Sequence, residues 1–325
     1  MRALVCNAFG PPDSLNLEQH HAPLPATGQV LIEVKAAGIN FPDILMISGE
    51  YQVKTAPPFV PGNELAGIVE TVGKGVSRFS AGDRVIATPT GGAFAEKCVV
   101  DQHMCLPLPD KLSFDQGAGF TITYATSYHA FRQSTVLKPG DTVLVLGAAG
   151  GVGITAVEIA RALGAKVIAA ASSAEKLQFA RQAGADELIN YSQDSLRKAV
   201  KELTGGKGVD VVFDPVGGDL AQQALRSLAW HGRYLVIGFA CGEIPQFPAN
   251  IALLKEASIT GVWWGTWAEN HPAAAQINMM ELAAMVEENK LKPRVTETYP
   301  LDQYVAAFAA ITKRKAKGKV VLTMA

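Results

Sequence analysis

Residues 142–153 read Thr142-Val143-Leu144-Val145-Leu146-Gly147-Ala148-Ala149-Gly150-Gly151-Val152-Gly153, and this stretch decides the fold. The first five residues are the kind of unbroken apolar run found in a strand buried on both faces. Glycines follow at once. Ile154 to Leu163 then shows apolar residues at helical spacing, Gly164 ends that helix, and Lys166 to Ala171 is a second apolar run. The glycines allow a tight turn and close backbone approach. The N–H groups at the helix start then face outward, where they suit a pyrophosphate. A glycine-rich turn alone is a weak signal; a strand before it and a helix and strand after it make it a dinucleotide-site prediction.

Reading toward the C-terminus, the unit repeats. A helix over Ala174 to Ala183 leads to Gly184-Ala185-Asp186-Glu187-Leu188-Ile189, and further strands are predicted over Asp210–Asp214 and Arg233–Gly238. Strands alternating with helices at this spacing imply a doubly wound parallel sheet over residues 123–262. The end of its second strand selects the nicotinamide. An NAD site carries an acid there to hold the ribose diol. Here the sequence is Ala171-Ser172-Ser173, with Lys176 a turn later and Tyr191 after the next strand. A hydroxyl, an ammonium and a phenol suit a 2′-phosphate, so NADPH is expected rather than NADH. The pyrophosphate falls to Ala149, Gly150, Gly151 and Val152. The basic run Lys313-Arg314-Lys315 with Lys317 and Lys319 reads as a solvated helix end, from which one member, Lys317, is assigned to the adenosine phosphate.

Reading toward the N-terminus, residues 1–122 change character. Short apolar runs at Val30–Ala36, Leu65–Val72, Asp83–Ala87 and Phe94–Val100 are separated by Gly and Pro, as in a compact β-rich domain. Residues 263–325 hold a helix around Glu281–Glu288, an extended Arg294–Tyr299, a helix around Tyr304–Thr312 and a last strand, Lys319–Leu322. The chain has 325 residues and a formal net charge of −1 with mixed signs, which gives no reason to expect a nucleic-acid partner. Cys6, Cys98, Cys105 and Cys241 make no C-x-x-C pair or metal-ligand spacing, so neither a disulfide framework nor a bound metal is expected. No stretch is apolar enough for a signal segment or a membrane span, and a cytoplasmic protein is expected.

Taken together, the chain resembles the medium-chain dehydrogenase/reductase superfamily, and within it the zinc-free, zeta-crystallin-like quinone oxidoreductase branch. The resemblance rests on Gly38-Ile39-Asn40-Phe41-Pro42-Asp43, Pro61-Gly62-Asn63-Glu64-Leu65-Ala66-Gly67, Gly82-Asp83-Arg84-Val85, residues 148–153 and Gly318-Lys319-Val320-Val321. It implies an α/β protein in which a GroES-like β-rich catalytic domain (1–122) is followed by a Rossmann domain (123–262), with residues 263–325 returning to the first. Alcohol dehydrogenases of the superfamily place a zinc-ligand Cys where Asn40 stands and a zinc-ligand His where Asn63 stands, and they carry a four-cysteine lobe absent here. Without a Lewis acid, an acceptor that is already electrophilic, such as a quinone, is the expected substrate.

The resemblance implies that Asn40 and Thr126 sit near the nicotinamide, with Val216, Phe239 and Trp263 along its far side. Asn40 is expected to donate a hydrogen bond to the acceptor oxygen or to a cofactor hydroxyl, and Tyr51 to polarise that oxygen or supply a proton. Family members often carry a tyrosine where this chain has Leu45. Glu64 reads as a buried, hydrogen-bonded carboxylate, and His129, Trp264 and Trp267 as packing residues. Reduction of an enone, enal or enoyl-CoA, and a non-catalytic NADPH-binding role, remain open beside the quinone reading. A homodimer pairing residues 235–239 and 259–263 is implied.

Overall fold

The computed structural model describes residues 1–324, which divide into two compact units: Met1–Ile122 with residues 293–324, and Thr123–Lys292. In the first unit the strands are β1 (Arg2–Val5), β2 (Asn16–Gln19), β3 (Gln29–Ile39), β4 (Leu65–Val72), β5 (Arg84–Ala87), β6 (Lys97–Asp101) and β7 (Cys105–Pro107). Helix α1 (Phe41–Ser48) leaves the end of β3, and α2 (Phe114–Ala118) follows β7. The run expected over Phe94–Val100 is extended only from Lys97, because Phe94 turns into the core instead.

The second unit starts within α3 (Thr121–His129). It continues through β8 (Thr142–Leu146), α4 (Gly151–Ala162), β9 (Lys166–Ala171), α5 (Ala174–Gln182), β10 (Glu187–Asn190), β11 (Val209–Asp214), β12 (Leu228–Val236) and β13 (Ser258–Gly261). These six strands form one parallel sheet in the order β10-β9-β8-β11-β12-β13. The expected parallel doubly wound sheet is therefore present. Its order reverses between β8 and β11, which is where such folds hold ligands, beyond the carboxyl ends of the strands. The sheet is dry: Val143, Leu144, Val145 and Leu146 of β8 and Val211, Val212 and Phe213 of β11 are all fully buried. Helices cover both faces, so unbroken apolar runs are stable here where an exposed sheet would alternate.

The chain returns to the first unit later than residue 263. Residues 264–287 form two helices, Trp264–Asn270 and Pro272–Glu287, that belong to the second unit. Tyr128 donates to Glu281 at 2.6 Å, Gln133 exchanges hydrogen bonds with Asn278, and the His129 and Trp267 rings lie 4.4 Å apart. These ties, all to α3 and the turn after it, hold the helices there. The return begins at Pro293 with β14 (Val295–Pro300), a helix over Tyr304–Thr312 and β15 (Lys319–Thr323). Strand β15 lies antiparallel to β3, pairing Val320 with Ile39, and this completes a sheet in the order β14-β15-β3-β4-β5-β7. Its core includes Leu4, Ile32, Leu65, Phe94, Phe308 and Val320, with Phe94 and Phe308 packed edge to face at 5.9 Å.

Candidate active site

In the second unit, the loop between β8 and α4 has the form a phosphate requires. Gly147 adopts φ 56°, and a Cβ on Gly153 would lie 2.2 Å from the Gly147 carbonyl oxygen. Only hydrogen fits at Gly153, so α4 begins directly against the turn. Gly150 is its N-cap, and the first-turn N–H groups of Gly151, Val152 and Gly153 have no partner within the helix. They point where an anion gains from both hydrogen bonds and the helix dipole. Helix α3 is fastened to this point: Ser127 Oγ donates to the Val152 carbonyl at 3.2 Å, and Thr155 Oγ1 to the Thr123 carbonyl at 3.0 Å. Thr126, half-buried, is on that helix.

Ser172 and Lys176 follow the carboxyl end of β9, and Tyr191 follows that of the neighbouring strand β10. The parallel register pairs Asn190 with Ala171, and the Tyr191 N–H donates to the Ala171 carbonyl at 3.2 Å, which sets Tyr191 beside Ser172. Ser173 caps α5 by accepting from the Lys176 N–H at 3.3 Å, so Lys176 is in the first turn. Positions 171–173 carry no carboxylate; the first turn of α5 holds Glu175 beside Lys176. On the other side of the loop, Val216 reaches within 2.9 Å of where a Gly147 Cβ would be, and Phe239 within 3.1 Å of a Cβ at Gly217. The Asp214 carboxylate holds this turn by accepting from Val216 N at 2.7 Å and Gly217 N at 2.9 Å, and burial pushes its pKa up. Trp263 follows β13 at the same carboxyl end of the sheet. Lys317 is in the first unit, where its carbonyl accepts from the Thr296 hydroxyl.

In the first unit, Asn40 stands at the N-cap of α1 within a dry polar cluster. Relative exposures are 8% for Asn40, 1% for Asp43, 0% for Glu64 and 4% for Lys319. Asp43 Oδ2 accepts from the Asn40 backbone N–H at 2.7 Å. Asn40 Nδ2 donates to Glu64 Oε2 at 3.0 Å and faces the Gly38 carbonyl at 3.4 Å. Lys319 Nζ donates to Asn40 Oδ1 at 2.7 Å, to Glu64 Oε2 at 3.0 Å and to the Ile39 carbonyl at 3.2 Å. Glu64 Oε1 accepts from Ile122 N at 2.8 Å. Burial raises the Asp43 pKa to about 7, with Glu64 adding to the rise, while the Asn40 N–H and Lys319 oppose it. Tyr51 is half-buried just past α1, its N–H bonded to the Leu45 carbonyl.

Comparison with known proteins agrees with this division. Residues 26–110 match the family model of the alcohol dehydrogenase GroES-like domain, and residues 151–279 that of the zinc-binding dehydrogenases. The chain is 41% identical over 328 residues to a quinone oxidoreductase-like protein 2 homolog of Nematostella vectensis, covering 99% of this chain and 88% of that one. The chain belongs to the quinone oxidoreductase family. The human quinone oxidoreductase is 36% identical over 327 residues, covering all of this chain and 98% of the relative. The crystal structure of Escherichia coli quinone oxidoreductase complexed with NADPH superposes with a TM-score of 0.92 at 31% identity, with full coverage of both chains. The expected family and the pairing of a GroES-like with a Rossmann domain are thus borne out, and this quinone oxidoreductase family member is an oxidoreductase.

The zinc implied by the dehydrogenase family model does not suit the residues of this quinone oxidoreductase homologue. Asn40 Oδ1 faces the Lys319 ammonium, which would repel a dication, and Asn63 offers one neutral oxygen, Oδ1, buried without a partner. Burial holds the thiols of Cys98 and Cys105 up at about 12, far from the thiolates zinc would want. No group of three or more His, Cys, Asp or Glu among the described residues is placed to hold a metal.

Two expectations change. Lys319, read as part of a solvated basic run, is buried and ion-paired. The Asn40 side-chain hydrogens face Glu64 and Gly38 and its Oδ1 faces Lys319, so donation to a substrate oxygen or cofactor hydroxyl would break an existing contact. Glu64 is the buried, hydrogen-bonded carboxylate that was expected. Its partner Lys319 was missed, because a lysine that opens a strand at the end of a basic run carries no sign that its own side chain enters the core.

Proposed function

We propose that this chain catalyses zinc-independent reduction of a quinone by NADPH. The reading is supported by the end of β9 at Ala171-Ser172-Ser173, which carries no acid, with Lys176 in the next turn and Tyr191 following the neighbouring strand β10. NADPH, when bound, supplies the hydride. The α4 N-terminus, with Ala149, Gly150, Gly151 and Val152, holds the pyrophosphate; Ser172, Lys176 and Tyr191 hold the 2′-phosphate, and Lys317 contributes from the returning segment. Thr126, Val216, Phe239 and Trp263 border the nicotinamide. Asn40 accepts a cofactor hydroxyl through Oδ1. Tyr51 donates to the quinone oxygen as negative charge develops there and supplies its proton. The family relatives and the NADPH complex of the E. coli enzyme support this assignment.

Two copies are proposed to pair along residues 235–239 and 259–263. Strand β13 ends the parallel sheet, and Ile259 and Trp263 are 37% and 49% exposed. Among the described residues no helix is long and apolar enough to cross a membrane. The four free thiols suit a reducing compartment such as the cytoplasm.

The test is NADPH oxidation in the presence of a chelator, followed at the nicotinamide absorbance band, against quinones, enones, enoyl-CoA thioesters and saturated aldehydes, with NADH in parallel. Turnover with quinones and preference for NADPH are expected. Turnover confined to enones or enoyl-CoA would reassign the substrate, and NADPH binding without turnover would move the protein to a non-catalytic role.

A further inference from the structure

The buried cluster around Asn40 contains more than its expected chemistry requires. Two carboxyl groups, an ammonium and a carboxamide share one dry site, and every hydrogen of the Lys319 ammonium has an acceptor: Ile39 O, Asn40 Oδ1 and Glu64 Oε2. Glu64 in turn accepts from Lys319, from Asn40 and from the Ile122 backbone. The residues come from β15, from β4's approach and from the start of α1; Lys319 and Asn40 are 279 positions apart in the chain. Burying ionised groups is costly unless they are paired and hydrogen-bonded, and such clusters are retained where they fix a geometry.

The geometry fixed here is the orientation of one amide. An amide can normally exchange its oxygen and nitrogen by a half-turn at little cost. At Asn40 it cannot. An ammonium only donates, so the Asn40 oxygen must face Lys319. An ionised carboxylate only accepts, so the nitrogen must face Glu64. A half-turn would set NH₂ against NH₃⁺ and a carbonyl oxygen against a carboxylate at once.

We propose that Lys319 is a positioning residue that, acting with Glu64, locks the Asn40 carboxamide with Oδ1 presented as an acceptor toward the bound cofactor. This rests on the reading that Asn40 meets a cofactor hydroxyl. Lys319 touches neither cofactor nor substrate; it acts through Asn40. A hydroxyl that donates to a fixed acceptor is held in one orientation, which sets the sugar and the ring it carries. The fixed amide is expected to raise turnover more than affinity, because misplacement of a reacting ring costs rate even when binding survives.

The first measurement needs no cofactor and no variant of the cluster's charged pair: side-chain amide proton exchange in full-length protein labelled with ¹⁵N-asparagine, with the Asn40 signal assigned by its loss in Asn40→Ala. The Asn40 amide protons should exchange at least about tenfold more slowly than those of exposed asparagines. Exchange as fast as theirs would overturn the proposal. The second uses Lys319→Met combined with Glu64→Gln, which removes both charges together and leaves no unpaired ion. Exchange at Asn40 should accelerate roughly tenfold or more. With NADPH and the best quinone, kcat should fall about tenfold or more, with the NADPH Kd, measured by nicotinamide fluorescence, changing less than about threefold. Adding Asn40→Ala to that pair should cost nothing beyond Asn40→Ala alone, since residues acting through one another are not additive. Multiplying losses, or wild-type kcat in the paired variant, would overturn the role of Lys319. If the wild-type protein oxidises no NADPH, the proposed function fails, and the exchange experiment still decides whether the amide is locked.

Discussion

Replacing Asp43 by asparagine should reshape how stability depends on pH. Asp43 is 1% exposed, and burial lifts its carboxyl from 3.8 to about 7, Glu64 adding to the lift and the Asn40 N–H and Lys319 opposing it. In the unfolded chain the group reverts to its ordinary range. Between those values the native state binds more protons than the unfolded state, so stability falls as pH rises. The contribution is fully present below about 4 and is lost as pH climbs through about 7. Integrated from about pH 5 to about pH 8, that loss is on the order of 2–3 kcal/mol. The substituted carboxamide could still accept the Asn40 N–H, which Asp43 accepts at 2.7 Å, but it has nothing to ionise. The Asp43→Asn variant should therefore gain about 2–3 kcal/mol on wild type across that interval, whatever its offset at the acid end. Urea unfolding of both proteins by far-UV circular dichroism at unit steps of pH reads this difference. An infrared titration of the protonated carboxyl band, wild type minus variant, reads the midpoint directly. A variant-minus-wild-type difference that stays constant across the range, with no carboxyl band lost near pH 7, would refute the assignment of a protonated Asp43.

Gly153→Ala places a methyl 2.2 Å from the Gly147 carbonyl oxygen, so the phosphate loop must move; a stability loss of roughly 1–3 kcal/mol and much weaker NADPH binding are expected, by thermal unfolding and nicotinamide fluorescence. Lys176→Ala should raise the NADPH Kd roughly ten- to a hundredfold while leaving NADH almost unchanged, and an equal loss for both would remove Lys176 from the 2′-phosphate site. Asn40→Ala should lower kcat more than cofactor affinity in steady-state assays; unchanged turnover would remove Asn40 from the site. Ile259→Lys at the edge of β13 should shift the protein to monomer in analytical ultracentrifugation, and an unchanged sedimentation coefficient would place any pairing elsewhere.

The Rossmann unit was legible in the sequence because its signals are local. The strand over Thr142–Leu146, the glycine loop and the helix behind it need only their own neighbours to declare themselves, and the acid missing after Ala171 is a matter of spacing along one βαβ unit. Strand ends were less so. The run predicted from Arg233 begins at Leu228, passing through His231 at φ 57°, and stops at Val236. The helices over 264–287 carry apolar residues that suit either unit. The hydrogen bonds of Tyr128 and Gln133 to Glu281 and Asn278, with the His129–Trp267 ring contact, tie them to the second.

By itself, then, the sequence determined the two-part α/β plan and the glycine-rich turn that opens α4, and it carried the expectation of NADPH at the ribose end, each written in residues a few positions apart. Tertiary structure alone decided the state of Asn40. The antiparallel register of β15 on β3 carries Lys319 opposite Asn40 and into contact with Glu64, 255 positions away. A lysine in water is a hydrated charge with no fixed partner. The same lysine in a dry sheet interior must give each of its hydrogens to an acceptor, and in doing so it fixes which way a neighbouring amide can face.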